Sequence, residues 1–118
     1  MPEQEGKKTI LLASLDPVLT KLRKLGLEAA GYRVIVVNTI PKVASGCRHH
    51  KIDLVLIGSS LPPAEKRKFW AEFRNQCSSL ILELYGDGPP ELMDDIRTYV
   101  HHPVTAVDFV EAVREILT

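Results

Sequence analysis

The chain has no excess of charge of either sign. Its 118 residues include 15 Lys and Arg and 15 Asp and Glu, so the formal net charge is zero. A domain that mainly binds nucleic acid needs a surplus of cations facing phosphates, and a polybasic membrane anchor needs a similar surplus. The sequence therefore predicts neither a nucleic-acid partner nor a membrane partner for this domain.

Long hydrophobic runs and cysteines are also scarce. No run approaches the roughly 18 apolar residues of a membrane span, and the first residues lack the apolar segment of a signal peptide. The two cysteines, Cys47 and Cys77, lie far apart and belong to no metal or redox motif. We therefore expect a soluble protein in a reducing, cytoplasmic compartment.

What the chain does contain is the composition of one ordinary globular domain. Hydrophobic residues make up 45% and charged residues 25% of it, which fits a folded domain rather than a disordered segment. The sequence predicts a polar leader at residues 1–8 and a single domain at 9–118.

Short apolar runs alternate with helical patterns along this domain. The runs are continuous rather than alternating, as in strands buried on both faces of a parallel sheet. They occupy 9–13, 34–37, 54–57, 80–84 and 98–100. Helices are predicted at 17 to about 30, from about 41 to 47, at 65–76 and at 108–117, with one or two turns at 91–97. The alternation predicts an α/β fold with a doubly wound, five-stranded parallel sheet, helices on both faces and a short or irregular fourth helix.

Residue patterns on two of these helices predict which faces are buried. Asp16 precedes a proline and is predicted to cap the first helix. Apolar residues at three- and four-residue spacing then predict an amphipathic helix; they are Leu19, Leu22, Leu25 or Gly26, and Ala29. The basic run 66–68 is predicted to be a solvated face of the third helix.

In open α/β sheets the ligand lies beyond the carboxyl ends of the strands. The loops to inspect are therefore those that follow the apolar runs, at 14–16, 38–39, 58–60, 84–86 and 101–103. At these positions the chain resembles the receiver domains of bacterial two-component response regulators. The resemblance is carried by ILL at 10–12 leading to Asp16, DLVLI at 53–57 leading to LP at 61–62, and YVHHP at 99–103. It covers about 9–117 and implies a flavodoxin-like, CheY-like fold.

The chemistry of receivers depends on residues that this chain has replaced. Receivers hold Mg²⁺ with acidic residues after the first strand and phosphorylate an aspartate after the third. In this chain the acidic pair falls on Ser14 and Leu15, which leaves Asp16 as the remaining carboxylate. The phosphoacceptor falls on Gly58, with Ser59 beside it.

The later part of the receiver pattern is kept in part. The residue that senses the phosphoryl group falls on Leu84, or on Glu83 if the strand is shifted by one, and the lysine that binds the phosphoryl oxygens falls on His102. Tyr99 matches the aromatic residue that switches rotamer in receivers, and Pro103 follows the lysine position as in the family. The resemblance thus implies a switch or interaction role for Tyr99 and Pro103.

Gly58 has no side chain, so no acyl phosphate can form there. The resemblance therefore implies a degenerate pseudo-receiver that is not an enzyme, has no catalytic residues, and uses neither metal nor cofactor. Its partner is expected to be a protein: a kinase, an output domain or another receiver-like domain, a second copy of this chain included. The alternative is a small-ligand-binding, flavodoxin-like domain that uses the vacated pocket around Ser14, Gly58, Ser59 and His102 for a nucleotide or anion.

Overall fold

The computed structural model describes residues 7–85, 98–101 and 106–117. Within them, the strands are β1 (Thr9–Ala13), β2 (Arg33–Val37), β3 (Leu54–Ile57), β4 (Leu80–Tyr85) and β5 (Thr98–His101). The helices are α1 (Pro17–Ala29), α2 (Ile40–His49), α3 (Pro63–Gln76) and α4 (Ala106–Leu117).

Neighbouring strands pair in parallel in the order β2-β1-β3-β4-β5. This is the strand order of flavodoxin-like doubly wound sheets, so the predicted parallel α/β architecture is confirmed. At the start of β3, Asp53 accepts a hydrogen bond from the Thr9 amide at 2.8 Å, and its own amide donates to the Thr9 carbonyl at 2.8 Å. These two bonds fix where β3 begins beside β1. The predicted turns at 91–97 lie outside the described residues.

Helices cover both faces of the sheet, and each face has its own core. Because successive strand residues point to opposite faces, the apolar runs supply side chains to both cores. The core beneath α2 and α3 comprises Leu11, Ala13, Val37, Val43, Val55, Ile57, Leu61, Phe69 and Phe73. The core beneath α1 and α4 comprises Ile10, Leu12, Leu27, Val34, Leu54, Leu56, Leu82, Leu84, Phe109 and Val113. The continuous apolar pattern of the strands follows from this two-sided burial.

Helix α1 has the predicted bounds, but the apolar pattern does not mark its buried face. Leu22 and Leu25 are exposed, whereas Arg23 and Leu27 are buried. The Arg23 guanidinium donates to Ser59 Oγ and lies 5.7 Å from the centre of the Phe109 ring. These contacts offset the cost of burying the Arg23 cation. The spacing of apolar residues does not reveal such contacts, so it does not predict that Arg23 is buried.

The basic run at the start of α3 is also less solvated than its composition predicts. Lys66 is buried, whereas the following two residues, Arg67 and Lys68, are exposed as predicted. Lys66 lies three and seven residues before Phe69 and Phe73, so it shares their face of the helix. The prediction of a fully solvated basic face is wrong at Lys66.

The two cysteines form a disulfide. This differs from the sequence prediction of a reducing compartment, in which both cysteines would be thiols. Cys47 lies in α2 and Cys77 is the C-cap residue of α3. Both helices pack on the same face of the sheet, so the Cα atoms of these residues lie 5.5 Å apart although the residues are 30 positions apart in the chain. The two cysteines are close because both helices cross over the same face of the sheet, and no local sequence motif indicates the pairing.

None of the helices in the described part of the chain is long and apolar enough to cross a membrane.

Candidate functional site

The carboxyl ends of β1, β3 and β4 meet at one edge of the sheet, as the strand order requires. Ala13, Ile57 and Glu83 are neighbours in register, so the residues that follow them lie side by side. The Gly58 amide donates to the Ala13 carbonyl at 2.8 Å and continues the pairing one residue beyond β3. The structure therefore brings together the positions that the resemblance assigns to the acidic pair, the phosphoacceptor and the phosphoryl-sensing residue.

Gly58 is packed so closely that it leaves no room for a side chain. A Cβ atom built on it would lie 2.7 Å from the Ala13 carbonyl oxygen and 3.5 Å from the Ser14 side chain. The first distance is well below van der Waals contact, and the obstacle is a backbone atom, which cannot rotate away. Gly58 thus has no carboxylate. The backbone at this position also leaves no space for the Cβ atom that a carboxylate side chain would need.

We predict that Gly58→Ala lowers the free energy of unfolding by about 1–3 kcal/mol, because the added methyl forces the ends of β1 and β3 apart. Denaturant unfolding followed by circular dichroism measures the change. Gly26→Ala is the matched control: its Cβ would lie 3.7 Å from Val110 Cγ2, an ordinary contact, in the interior of α1. That change should instead add stability, by up to about 1 kcal/mol. Equal effects of the two substitutions would contradict the packing described for Gly58.

Hydroxyl groups fill the edge of β1 where receivers hold metal-binding acids. Ser14 is buried, and its Oγ lies 2.5 Å from the Thr20 hydroxyl and 3.4 Å from Ser60 Oγ. Ser60 Oγ also lies 3.4 Å from the amide nitrogens of Leu15 and Asp16 and accepts from both. These neutral groups bond to one another and tie the β1 loop to the β3 loop. They provide none of the carboxylate charge by which proteins hold Mg²⁺.

Asp16, the remaining carboxylate of this cluster, caps helix α1. Its Oδ1 accepts from the amides of Val18 at 3.0 Å and Leu19 at 3.1 Å, two of the donors that a helix leaves unpaired at its start. This is the predicted N-cap. Leu15 beside it is exposed.

Arg23 brings a fixed positive charge to the same edge of the sheet. Its Nη2 donates to Ser59 Oγ at 3.0 Å, one residue beyond the phosphoacceptor position. Burial lowers the pKa of the guanidinium to about 10, and the carboxylate of Asp16 partly offsets this. Arg23 therefore remains charged at neutral pH. A permanent cation here disfavours a divalent metal ion nearby.

A buried ion pair closes the edge at β4. Lys66 Nζ donates to Glu83 Oε2 at 2.8 Å and to the Leu84 carbonyl at 2.9 Å. Both side chains are nearly inaccessible, with exposed fractions of 8% and 0%. Leu84, the position first assigned to phosphoryl sensing, is instead a core residue beneath α1 and α4. Glu83, the alternative that the shifted strand allows, is the polar residue of this strand end.

The structure does not test every residue of the predicted site. His102 and Pro103 lie outside the described residues. Tyr99 lies on β5 in register with Glu83, but its side chain is outside the described part, so its switch role stays a prediction. Among the described residues, no group of three or more His, Cys, Asp or Glu side chains could hold a metal ion.

The described polar side chains at this edge hydrogen-bond mainly to one another and to the backbone. They include a helix cap (Asp16), a hydroxyl cluster (Ser14, Thr20 and Ser60), the hydrogen bond between Arg23 and Ser59, and the buried ion pair of Lys66 and Glu83. None is a carboxylate placed where a receiver carries its phosphoacceptor. The sequence pattern places none of Thr20, Arg23 and Lys66 at this site, and it marks Ser60 only as part of the loop 58–60.

No family model matches this chain. Solved structures that are similar to it are CheY-like response regulator receiver domains. The chemotaxis protein CheY4 of Vibrio cholerae superposes with a TM-score of 0.80 at 14% identity, covering 95% of this chain and all of that one. A CheY-like receiver domain protein from Methanospirillum hungatei gives a TM-score of 0.78 at 20% identity, covering 95% of this chain and 94% of that chain.

A third structure comes from redox sensors in the streptococci that evolved from two-component response regulators. It has a TM-score of 0.72 at 23% identity and covers 93% of this chain and 51% of that one. Identities this low show the fold alone: the chain has the CheY-like α/β fold.

Proposed function

We propose that this chain is a receiver-like signalling module that acts without phosphorylation, through binding to another protein in a two-component-type pathway. The observation that carries the proposal is Gly58. It occupies the phosphoacceptor position of a CheY-like fold, has no carboxylate, and is packed against the Ala13 carbonyl so that no side chain fits.

The surroundings of Gly58 support the same conclusion. Mg²⁺ offsets the charge that develops during phosphoryl transfer, and it needs oxygen ligands of high charge density. Here Ser14 and Leu15 stand at the positions of the acidic pair, and Asp16 is engaged as a helix cap. The positive charge of Arg23 lies next to Ser59. Loss of the nucleophile and of the metal ligands together removes the chemistry.

A module of this kind transmits information by the shape of its surface. Its partner would be a kinase, an output domain or another receiver-like domain, with residues 9–118 forming one domain in the cytoplasm. We propose no catalytic residue, metal or cofactor for it, and no nucleic-acid or membrane contact.

An amide-resolved NMR titration tests the loss of the phosphorylation site. We expect Mg²⁺, and then beryllofluoride with Mg²⁺, to leave the amide signals of Ser14, Asp16 and Gly58 in place. A receiver that carries the aspartate serves as the positive control for the reagents. Saturable shifts at these three amides would show a working metal or phosphoryl site and contradict the proposal.

The alternative of a ligand-binding domain stays a prediction. Polar groups that would bind such a ligand already hydrogen-bond within the protein. The hydroxyl of Ser14 lies against that of Ser60, and Ser59 accepts from Arg23. A thermal-shift screen with nucleotides and flavins distinguishes the two. Stabilisation that Arg23→Leu abolishes would favour a ligand at this edge, and no stabilisation by any of them would remove the alternative.

The disulfide supports a second function, redox sensing, beside protein binding. In cytoplasmic proteins disulfides are usually transient and serve catalysis or redox sensing. Cys47 and Cys77 border a cavity of about 270 Å³ that His50 and Lys51 also line. The positive charge of Lys51 favours the thiolate form of a reduced cysteine at this cavity, and the thiolate is the form that attacks disulfides. A similar fold is found in the streptococcal redox sensors.

Titration with glutathione tests this function. Two glutathione molecules supply two electrons and two protons: the bond between Cys47 and Cys77 breaks, both become thiols, and glutathione is oxidised to its own disulfide. We expect half-reduction at a potential above roughly −300 mV, the level below which structural disulfides usually lie. Alkylation and intact mass report the reduced fraction. A disulfide that stays oxidised at more negative potentials would be structural and would exclude redox sensing.

A further inference from the structure

Helix α1 and the residue before its N-cap carry a row of large, exposed apolar side chains. Leu15, Val18, Leu22 and Leu25 have exposed fractions of 44%, 71%, 62% and 54%. We call these four residues the α1 stripe. Among the described residues, the only other large hydrophobic side chain exposed to this degree is Leu80, which lies at the start of β4.

The spacing of the α1 stripe is that of a helix-pairing surface. Intervals of four and three residues place Val18, Leu22 and Leu25 at successive d, a and d positions of a heptad, so they form one narrow row along the helix. Leu15 lies just before the N-cap, at the end of this row. Ala29 continues this spacing and is exposed as well. A scattered set of exposed apolar residues needs no explanation, but a continuous row of this kind marks an interaction surface.

Charge beside the α1 stripe identifies the partner. Lys21 and Glu28 are the flanking g positions on one side of the row, and both are exposed. Glu28 also pairs with Lys24 of its own helix at 2.9 Å, but a surface pair of this kind contributes little and leaves the carboxylate accessible to a second cation. The other flank is turned toward the protein, since Gly26 faces Val110 of α4. In an antiparallel pair of identical helices, g positions face g positions of the other copy. Packing Leu22 against Leu25 of the second copy then places Lys21 beside Glu28 of that copy, and two-fold symmetry repeats the contact.

We propose that two copies of this chain pair through the α1 stripe, with their α1 helices antiparallel and with Lys21 of each copy facing Glu28 of the other. This inference rests on the proposed function, because it names the protein partner of the module. The helix is about 20 Å long, so the contact is small and the dimer is weak and reversible. The pairing needs no phosphoryl group, in keeping with the structure around Gly58.

Sedimentation equilibrium of the full chain, over a series from micromolar to millimolar protein, tests the pairing. We expect a monomer–dimer equilibrium and a dissociation constant that Leu22→Ser raises at least about tenfold, as for the central residues of interfaces. Leu80→Ser, the same change at an exposed leucine outside the α1 stripe, should leave the constant unchanged. Circular dichroism confirms that each variant is folded.

Charge exchange distinguishes this geometry from other dimers. Lys21→Glu and Glu28→Lys should each weaken the dimer, because each places like charges together, whereas the double variant restores opposite charges and should recover the original affinity. A chain that stays monomeric at millimolar concentration, or a dimer indifferent to both Leu22→Ser and the charge exchange, would overturn the proposal. Phosphoryl uptake is measured separately, so failure of the pairing does not imply failure of the phosphorylation-independent function.

Discussion

Replacing Lys66 with methionine is expected to lower the free energy of unfolding by about 3–5 kcal/mol, because it removes the ammonium group that pairs with the buried carboxylate of Glu83. Glu83 is completely inaccessible, and Lys66 Nζ lies 2.8 Å from its Oε2. Replacing Glu83 with leucine should cost a similar amount, because the ammonium group of Lys66 is then left in the interior. Urea unfolding at neutral pH measures both.

The double variant separates the ion pair from simple loss of packing. Lys66→Met with Glu83→Leu removes both charges, so its cost should be far smaller than the sum of the single costs. Lys68→Met is the matched control, since Lys68 lies on the same helix and pairs with Glu65 at 3.5 Å on the surface. Its effect should be within about 0.5 kcal/mol. Additive single costs, or a cost at Lys68 equal to that at Lys66, would contradict the buried pair.

Reduction of the Cys47–Cys77 disulfide is expected to lower the free energy of unfolding by about 3–4 kcal/mol. The bond closes a loop between residues 30 positions apart, and releasing it restores freedom mainly to the unfolded chain. Urea unfolding with and without a dithiol reductant measures the loss. Alkylation before and after reduction shows whether both sulfurs were bonded.

A variant without cysteines controls for effects of the reductant itself. Cys47→Ser with Cys77→Ser should be about as unstable as the reduced protein, and its stability should not respond to the reductant. If untreated protein is alkylated at both cysteines, or if reduction leaves its stability unchanged, the disulfide makes no contribution in solution.

The positions of the strands and helices could be predicted from the sequence because local patterns determine them. Continuous apolar runs such as 54–57 are typical of strands buried on both faces, and Asp16 before a proline marks the start of a helix. The absence of a carboxylate at Gly58 is also plain from the sequence in any fold, whereas the loss of receiver chemistry stays a prediction.

The polar contacts of the site could not be predicted from helical periodicity alone. Apolar spacing predicts that Leu22 and Leu25 belong to the buried face of α1, yet the structure buries Arg23 and exposes the two leucines. Lys66 lies within a basic run, which resembles solvent-exposed sequence. The available signal was Glu83: a lone charge in an apolar strand requires a buried partner.

The disulfide escaped prediction for a topological reason. Cys47 and Cys77 belong to consecutive helices that cross back over the same face of the sheet. Their separation in the chain therefore gives no indication that their sulfur atoms meet. The exposure of the α1 stripe could not be predicted either. An amphipathic pattern indicates that a helix has an apolar face, but it does not show whether the rest of the chain covers that face.

The most direct test of phosphorylation independence is intact mass spectrometry after incubation of the full chain with acetyl phosphate and Mg²⁺. Neither Asp16, which caps α1, nor Gly58 offers the carboxylate of a receiver site. We therefore predict that the mass stays that of the unmodified chain, while a receiver with its aspartate gains one phosphoryl group under the same conditions. A stoichiometric phosphoryl group on any carboxylate of this chain would contradict the account.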